Sequence, residues 1–435
     1  MLRVAVIGSG VAGLSAAWRL AAPGSGVSVT LFEASSHFGG HAHTVDLTLD
    51  GRTHPVDTGF LVYNDRTYPG LVRLFGELGV EAADSDMSFS VQVRRPGGEP
   101  GLEWSGSSLS GVFAQGSNLL RPRFWGMLAQ IVRFNDQATR LALGGDPLEQ
   151  PLEDFLLENR YSQAFRDDYL LPMVGSIWSC PTDQMLEFPL GTLVRFAHNH
   201  GLLRIRDRPQ WRTVRGGSRT YVERILARLG DARRECPVRA VLRGPEGVDV
   251  VTPEGSERFD EVVFATHPGQ ALAILGPQAT HAENAILAAI RYQPNRAVLH
   301  TDASALPSRR AAWAAWNYER VGEGDGGQVC LHYLINRLQP VPWQRPVIVS
   351  LNPARPIDPA QVHGVFEPEH PVFDLAALSA QQEVPALQGV QRTWYCGAWC
   401  GYGFHEDGLQ AGAAVADAIL ARASQGESAP WKQAA

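Results

Sequence analysis

Gly8, Gly10 and Gly13 stand in a G-x-G-x-x-G arrangement inside "RVAVIGSGVAGLSAAWRLAA". The β-branched, apolar run before them reads as a buried strand, and the small-residue stretch after them as a helix. A glycine turn between such elements is a cradle for a dinucleotide. Gly8 permits the tight turn, Gly10 lets the backbone approach a pyrophosphate, and Ala12 opens the helix with Gly13, which allows close helix–strand packing. A second apolar strand, "GVSVTLFE", ends in Glu33, placed to bind ribose hydroxyls. An acid there disfavours a 2′-phosphate, so FAD or NAD is expected before NADP. The same stretch has the look of a secretory leader, but the glycine offsets and Arg19 inside the apolar run favour a folded element.

Beyond Glu33, Gly39 and Gly40 would let a second backbone segment pass close to a bound cofactor, and Asp57-Thr58-Gly59 follows, with Phe60 next to it. This series resembles the flavin amine oxidase and phytoene desaturase superfamily, which carries E-x-x-x-x-x-G-G-[RK] and then D-x-G. The resemblance implies FAD. It also implies cofactor contacts from Gly39, Gly40, position 41, Gly59 and Phe60, from Val238 beside the adenosine, and from Thr266 where the strand of "FATHP" ends. The chain departs from the pattern at His41, where the superfamily has a basic residue, so the charge at that position becomes pH-dependent. His41, His43 and His54 have no cysteine or carboxylate cluster near them to complete a ligand set, and no metal is expected there.

The closing stretch "CGAWCGYGFHEDGLQAG" begins as a strand and runs into an alanine-rich helix. By the same resemblance it seats the flavin, with Gly397 after the strand and Gly408 and Leu409 at the helix start. The positive end of that helix would suit an anionic reduced isoalloxazine. Cys396 and Cys400 have three residues between them, one more than thioredoxin-type or zinc pairs, which argues against a redox pair. His405 and Glu406 either fix the turn by hydrogen bonds or form a proton relay near the reacting carbon. Tyr402 and His405 are the candidate catalytic residues.

The elements needed to hold these residues imply an α/β fold: a Rossmann-like FAD-binding domain with an inserted substrate domain of mixed sheet and helices. The expected boundaries are 1–65, 205–270 and 386–423 for the discontinuous FAD-binding part. Residues 66–204 and 271–385 form the substrate domain, and 424–435 a flexible tail. "RPRFWGMLAQIVRFNDQATRLALGG" reads as a helix with Met127, Ile131, Phe134, Ala138 and Leu141 on one core-facing stripe. A second reading makes it a surface helix touching lipid, because Arg121, Arg123, Phe124 and Trp125 cluster at its start. The following stretch continues helical with breaks at Pro172 and Pro181. "CPVRAVLR" and "GVDVVT" read as strands, and Trp313 and Trp316 of the loop "AAWAAWNYE" either line an apolar pocket or, as is more common for such residues, belong to the core or its rim.

Composition sets the outer limits. The chain carries 38 basic and 45 acidic residues, a net charge of −7, which argues against nucleic acid as a partner. Five cysteines are too few for a disulfide framework, so a reducing cytoplasm is expected. No apolar run is long enough to span a bilayer. Lys432 is the single lysine. Amine oxidases commonly place a lysine against the flavin, so its position in the tail lowers that reading. At closer range the stretches "FGGHAHTV", "DTGFLVYN", "GSIWSCP", "RPQWRTVRGGSRTYV" and "GYGFHEDGLQAG" resemble the flavoprotein-like region of plant cyclopropane fatty acid synthases and their stand-alone bacterial relatives. That resemblance implies an FAD-dependent oxidoreductase acting on a C–H bond of a methylated or unsaturated fatty acyl chain. It further points to a lipid methyltransferase partner, and the lipid-touching reading of the helix after Arg121 adds peripheral contact with the inner face of the membrane. Amine oxidation, carotenoid-type desaturation or isomerisation, and a non-catalytic flavin-binding partner are the alternatives.

Overall fold

The computed structural model describes residues 1–95, 99–144, 150–178, 185–204, 207–322 and 329–425. A five-stranded sheet holds the cradle. Its order is Asp231–Arg233, Val27–Phe32, Leu2–Ile7, Glu261–Phe264 and Thr393–Tyr395, with every neighbouring pair parallel. Both faces are covered, as a parallel sheet requires, and Val4, Val6, Leu31 and Val263 are fully buried. The first helix, Val11–Leu20, and the last, His405–Ser424, lie against each other on one face. A side chain at Gly412 would put its Cβ 2.0 Å from the carbonyl oxygen of Ala12. The Ser15 hydroxyl donates to the Leu409 carbonyl at 2.8 Å, and Arg19 pairs with Asp417.

A seven-stranded sheet forms the second layer, in the order Val362–Phe366, Ala297–His300, Ile348–Leu351, Cys330–Leu334, Trp316–Val321, Phe89–Arg94 and Pro100–Ser105. All its pairs are antiparallel except Trp316–Val321 with Phe89–Arg94, which join parallel from distant parts of the chain. One face carries a buried polar row. Glu319 accepts from Arg94 at 2.8 Å, Arg355 at 2.9 Å and His332 at 3.1 Å, and Ser350 lies 2.6 Å from both His332 and His300. Burial opposes charge on Glu319, but the bonds from His332 and Arg355 prevail and hold its carboxyl down to about 2. Glu319, Cys330 and His332 hold their donor atoms within 4.8 Å of one another, close enough in principle to share a metal ion. Two guanidinium groups on the same carboxylate already neutralise it, which disfavours a cation there.

Helices cover the remaining side. Pro122–Gly144 runs 23 residues and buries Met127, Phe134 and Ala138, the stripe expected from its spacing, with Ile131 and Leu141 partly covered. The break expected at Pro172 takes the form of a wide helical turn over Arg166–Leu170, after which a regular helix starts at Leu171. Proline has no N–H to donate, and near a helix start none is needed. Pro181, Cys180 and the tail beyond residue 425, Lys432 included, lie outside the described residues.

One local expectation needs correction, and one open reading is decided. "CPVRAVLR" enters its ladder only at Ala240, because the Cys236 amide is taken by the Glu33 carbonyl at 2.9 Å. Trp313 does not line a pocket. Its indole N–H donates to the Pro307 carbonyl at 2.7 Å, and its ring packs on Leu306, Leu334 and Ile348. Since the first and last helices approach at backbone distance, Gly412→Val should force them apart. The expected cost is about 1–3 kcal/mol or more in urea unfolding. An unchanged midpoint would mean that the crossing is looser than described.

Candidate functional site

A cavity of about 1030 Å³ runs from the glycine turn into the space between the two sheets. At Gly8 the backbone turns with φ +99°, and a Cβ there would meet the Ala265 carbonyl oxygen at 2.6 Å. A Cβ on Gly13 would lie 1.9 Å from the Gly8 carbonyl oxygen, so turn and helix are in direct backbone contact. Gly10, by contrast, faces open space, with nothing within 4 Å of an added Cβ. That is the gap a pyrophosphate needs. Glu33 ends its strand with one carboxylate oxygen accepting from the Ser9 amide at 3.0 Å and hydroxyl at 2.5 Å, and the other from the Ser35 amide at 2.8 Å. Gly39 donates its amide to the Ser9 hydroxyl at 3.1 Å, which ties the second glycine segment to the first.

The cavity wall takes in Gly8, Gly10, Ala12, Glu33, Gly40 and His41 on the turn side. Gly59 and Phe60 reach it through the bond from the Phe60 amide to the His41 carbonyl at 2.7 Å. Val238, Thr266 and Gly397 line it from the strand ends, and Tyr402 and His405 from the final turn. Gly13, Gly39, Gly408 and Leu409 stand behind the wall as packing. A Cβ at Gly408 would meet Val11 at 2.8 Å, and the Leu409 carbonyl is held by Ser15. Glu406 points elsewhere. Its carboxylate accepts from the Gly70 and Leu71 amides at 2.8 and 2.9 Å, where it neutralises the start of the helix Pro69–Leu78. Of the two readings of His405 and Glu406, these bonds support turn fixing for Glu406.

His405 is buried, its ring stacked on Phe60 with centroids 3.7 Å apart, and its Nε2 lies 2.9 Å from the Tyr221 hydroxyl. Burial, with His41 nearby, pushes it down to about 3, so it is a neutral imidazole. Burial likewise lowers His41, His43 and His200 to about 4 and His370 to about 3. The Nε2 of His41 is buried without a partner among the described residues, in the wall where the superfamily has its basic residue. The acids of the lining are Glu33, Glu367 and Glu369, and Glu369 bonds His267 at 2.9 Å. Glu33 stands at the glycine turn beside Ser9 and Glu369 beside the His267 that follows Thr266, while Glu367 follows Phe366 at the end of the edge strand of the seven-stranded sheet.

The other end is aromatic. Trp178, Phe196, Trp211, Trp316, Tyr333 and Phe404 line it, with Phe196 stacked on His200 at 3.9 Å and on Phe404 at 4.9 Å. Among these, Trp316 was the expected one. The others come from five separate elements, and none has a local signal that distinguishes it from core. The residues present therefore fit a dinucleotide on the turn side, with an aromatic wall beyond it.

His41, His43, His200, His370 and His405, together with His300, which burial also lowers to about 4, and His267 and His363, likewise lowered by burial, fix a pH dependence. Unfolded, such rings titrate near about 6.5; folded, the first five and His300 titrate at about 3 to 4. Between those values the unfolded chain holds more protons. The histidine contribution is therefore fully present above about pH 6.5 and is lost as pH falls toward about 4. His332, raised to about 9 by Cys330 and Glu319 against the effect of its burial, works in the opposite sense and above that window. Urea midpoints should fall steeply between about pH 7 and pH 5, with protons taken up on unfolding. A flat profile would show that these rings are hydrated in the fold.

The model of the family of flavin-containing amine oxidoreductases matches residues 11–301, well over half of the chain. Solved structures share the architecture at low identity. Putrescine oxidase bound to putrescine is 18% identical with a TM-score of 0.68, the alignment covering 97% of this chain and 100% of that one. Cyclohexylamine oxidase from Brevibacterium oxydans is 18% identical at 0.68, with 97% and 99% covered. The CLA-producing fatty acid isomerase from P. acnes is 17% identical at 0.65, with 97% and 98% covered. With a glycine cradle at one end of its cavity and the family model matched across it, the chain belongs to the flavin-containing amine oxidoreductases and is an FAD-dependent oxidoreductase.

Proposed function

We propose that the enzyme acts on a C–H bond of an apolar substrate, a methylated or unsaturated fatty acyl chain. The carrying observation is the aromatic end of the cavity. Its described lining there offers no carboxylate to hold an ammonium group, and the histidines around it are neutral. An acyl chain would exchange water for aromatic surface there, at about 25 cal/mol per Å² buried. That one solved structure of the same fold is a fatty acid isomerase supports the compatibility of this scaffold with such a substrate.

In this reading Gly8, Gly10 and Ala12 hold the FAD pyrophosphate, with Gly13 packing the helix onto the turn behind them, and Glu33 holds the adenosine ribose, with Val238 beside the adenine. Gly40, His41, Gly59, Phe60 and Thr266 follow the cofactor along the cavity and Gly397 closes its far side, while Gly39, Gly408 and Leu409 support that wall from behind. FAD, when bound, supplies the hydride acceptor. The protein's share is position and exclusion of water. Tyr221 engages Nε2 of His405, so a proton handled by that ring is handled at Nδ1. The Tyr402 carbonyl accepts from the Trp178 indole at 3.2 Å, which fixes the final turn to the aromatic wall.

Anaerobic titration of the flavin-loaded enzyme tests the substrate class. Unsaturated or methylated acyl lipid should bleach the flavin bands, and Trp316→Ala should lower the second-order rate about 10- to 100-fold, the roughly 1.5–3 kcal/mol of one large apolar contact. Bleaching by primary amines and not by lipid would replace this reading with amine oxidation. Bound flavin that no candidate reduces would favour a non-catalytic partner of a lipid-modifying enzyme.

A further inference from the structure

We propose that the segment from Leu109 to Val132 is a docking surface for an anionic phospholipid bilayer. The helix Pro122–Gly144 buries Phe124, Met127 and Phe134, yet its opposite face over the first three turns is also apolar: Trp125, Ala129 and Val132 are all exposed. Just before it, Leu119 and Leu120 face solvent, Leu120 at 87%, and Leu109 is 80% exposed. These side chains form one patch. The Trp125 indole donates to the Leu119 carbonyl at 3.0 Å, the Phe113 ring lies 5.3 Å from that of Trp125, and the Phe113 amide bonds the Leu109 carbonyl. A helix apolar on two faces buries one in the protein and needs a second apolar phase for the other.

The charge around the patch selects that phase. No acidic residue occurs between Glu103 and Asp136, in a chain of net charge −7, while Arg121, Arg123 and Arg133 fall inside this stretch. Arg121 bonds the Gly101 carbonyl and the Asn118 side chain, and Arg133 the Asn159 carbonyl and the face of Tyr161. Their partners are neutral, so their charge is unspent. Arg123 reaches Asp168, a carboxylate also held by Arg320. Arg310 is exposed next to Ala311, whose carbonyl lies against Gly111 at the Leu109 end. Leucine and tryptophan ringed by arginine is the composition of an interfacial surface that seats apolar side chains below anionic headgroups. A second copy of the chain is disfavoured as the occupant, since a two-fold contact here would set these arginines against each other. No helix among the described residues is long and apolar enough to cross a membrane, so the contact is with the surface.

This deepens the acyl-chain reading, for which it would bring the enzyme to its substrate, but the two can fail separately. The test is cosedimentation of the flavin-loaded protein with vesicles of phosphatidylcholine alone or mixed with phosphatidylglycerol. Wild type should bind the mixed vesicles, bind the neutral ones less, and be released by salt. Leu109→Glu with Leu120→Glu, both fully at the surface, should weaken binding at least about tenfold while leaving the flavin spectrum and the rate with detergent-dispersed substrate unchanged. Absence of binding to mixed vesicles, or equal binding by the double variant, would overturn the proposal. So would a wild-type dimer that the double variant dissociates. Vesicle binding without reduction by any lipid would leave the surface standing and remove the substrate.

Discussion

The architecture depends on the contact between the first and last helices. Gly412 and Gly408 bring the last helix onto Ala12 and Val11 at backbone distance, and Ser15 ties itself to the Leu409 carbonyl. These residues lie some four hundred positions apart in the chain, so their contact closes the whole fold. It also sets the site. The glycine turn that precedes one helix and the "GYGFHED" turn that precedes the other end on the same cavity because the helices run side by side. Parallel strands between them supply the fixed spacing, and Ile7, Phe32, Ala265 and Gly397, at or just past strand ends, line the cavity.

Charge is handled in two different ways in the two sheets. Behind the seven-stranded sheet, Glu319 keeps its charge while buried because Arg94, Arg355 and His332 converge on it. Breaking such a group leaves buried charges unpaired, at about 3–5 kcal/mol. Around the cavity the opposite solution prevails. His41, His43, His200, His370 and His405 lose their charge to burial and leave polar but neutral walls. A neutral wall next to an aromatic one suits an apolar substrate.

Much of the cradle was legible in the sequence because its chemistry is local. A turn with Gly8, Gly10 and Gly13, a strand ending in Glu33 and a paired glycine at 39 and 40 each carry their own spacing signal. The core stripe of the helix at 122–144 was legible for the same reason, through its period. The aromatic end was not. Trp178, Phe196 and Trp211 meet Trp316 and Tyr333 only through tertiary packing, and no local pattern separates a cavity tryptophan from Trp313, which packs in a small core of its own. Glu406 shows the same limit. Its neighbour His405 faces the cavity, but one residue along a helix is a turn of about 100°, enough to send the carboxylate to the amides of Gly70 and Leu71.

The central claim is that the gap over Gly10 and the cavity beyond it hold FAD. The most direct measurement is the absorption spectrum and flavin content of the purified protein, before and after incubation with FAD, for wild type and Gly10→Val. The account predicts oxidised-flavin bands at one FAD per chain in wild type, and their loss in the variant with folding retained. A wild-type protein that takes up no flavin even from excess FAD would contradict it.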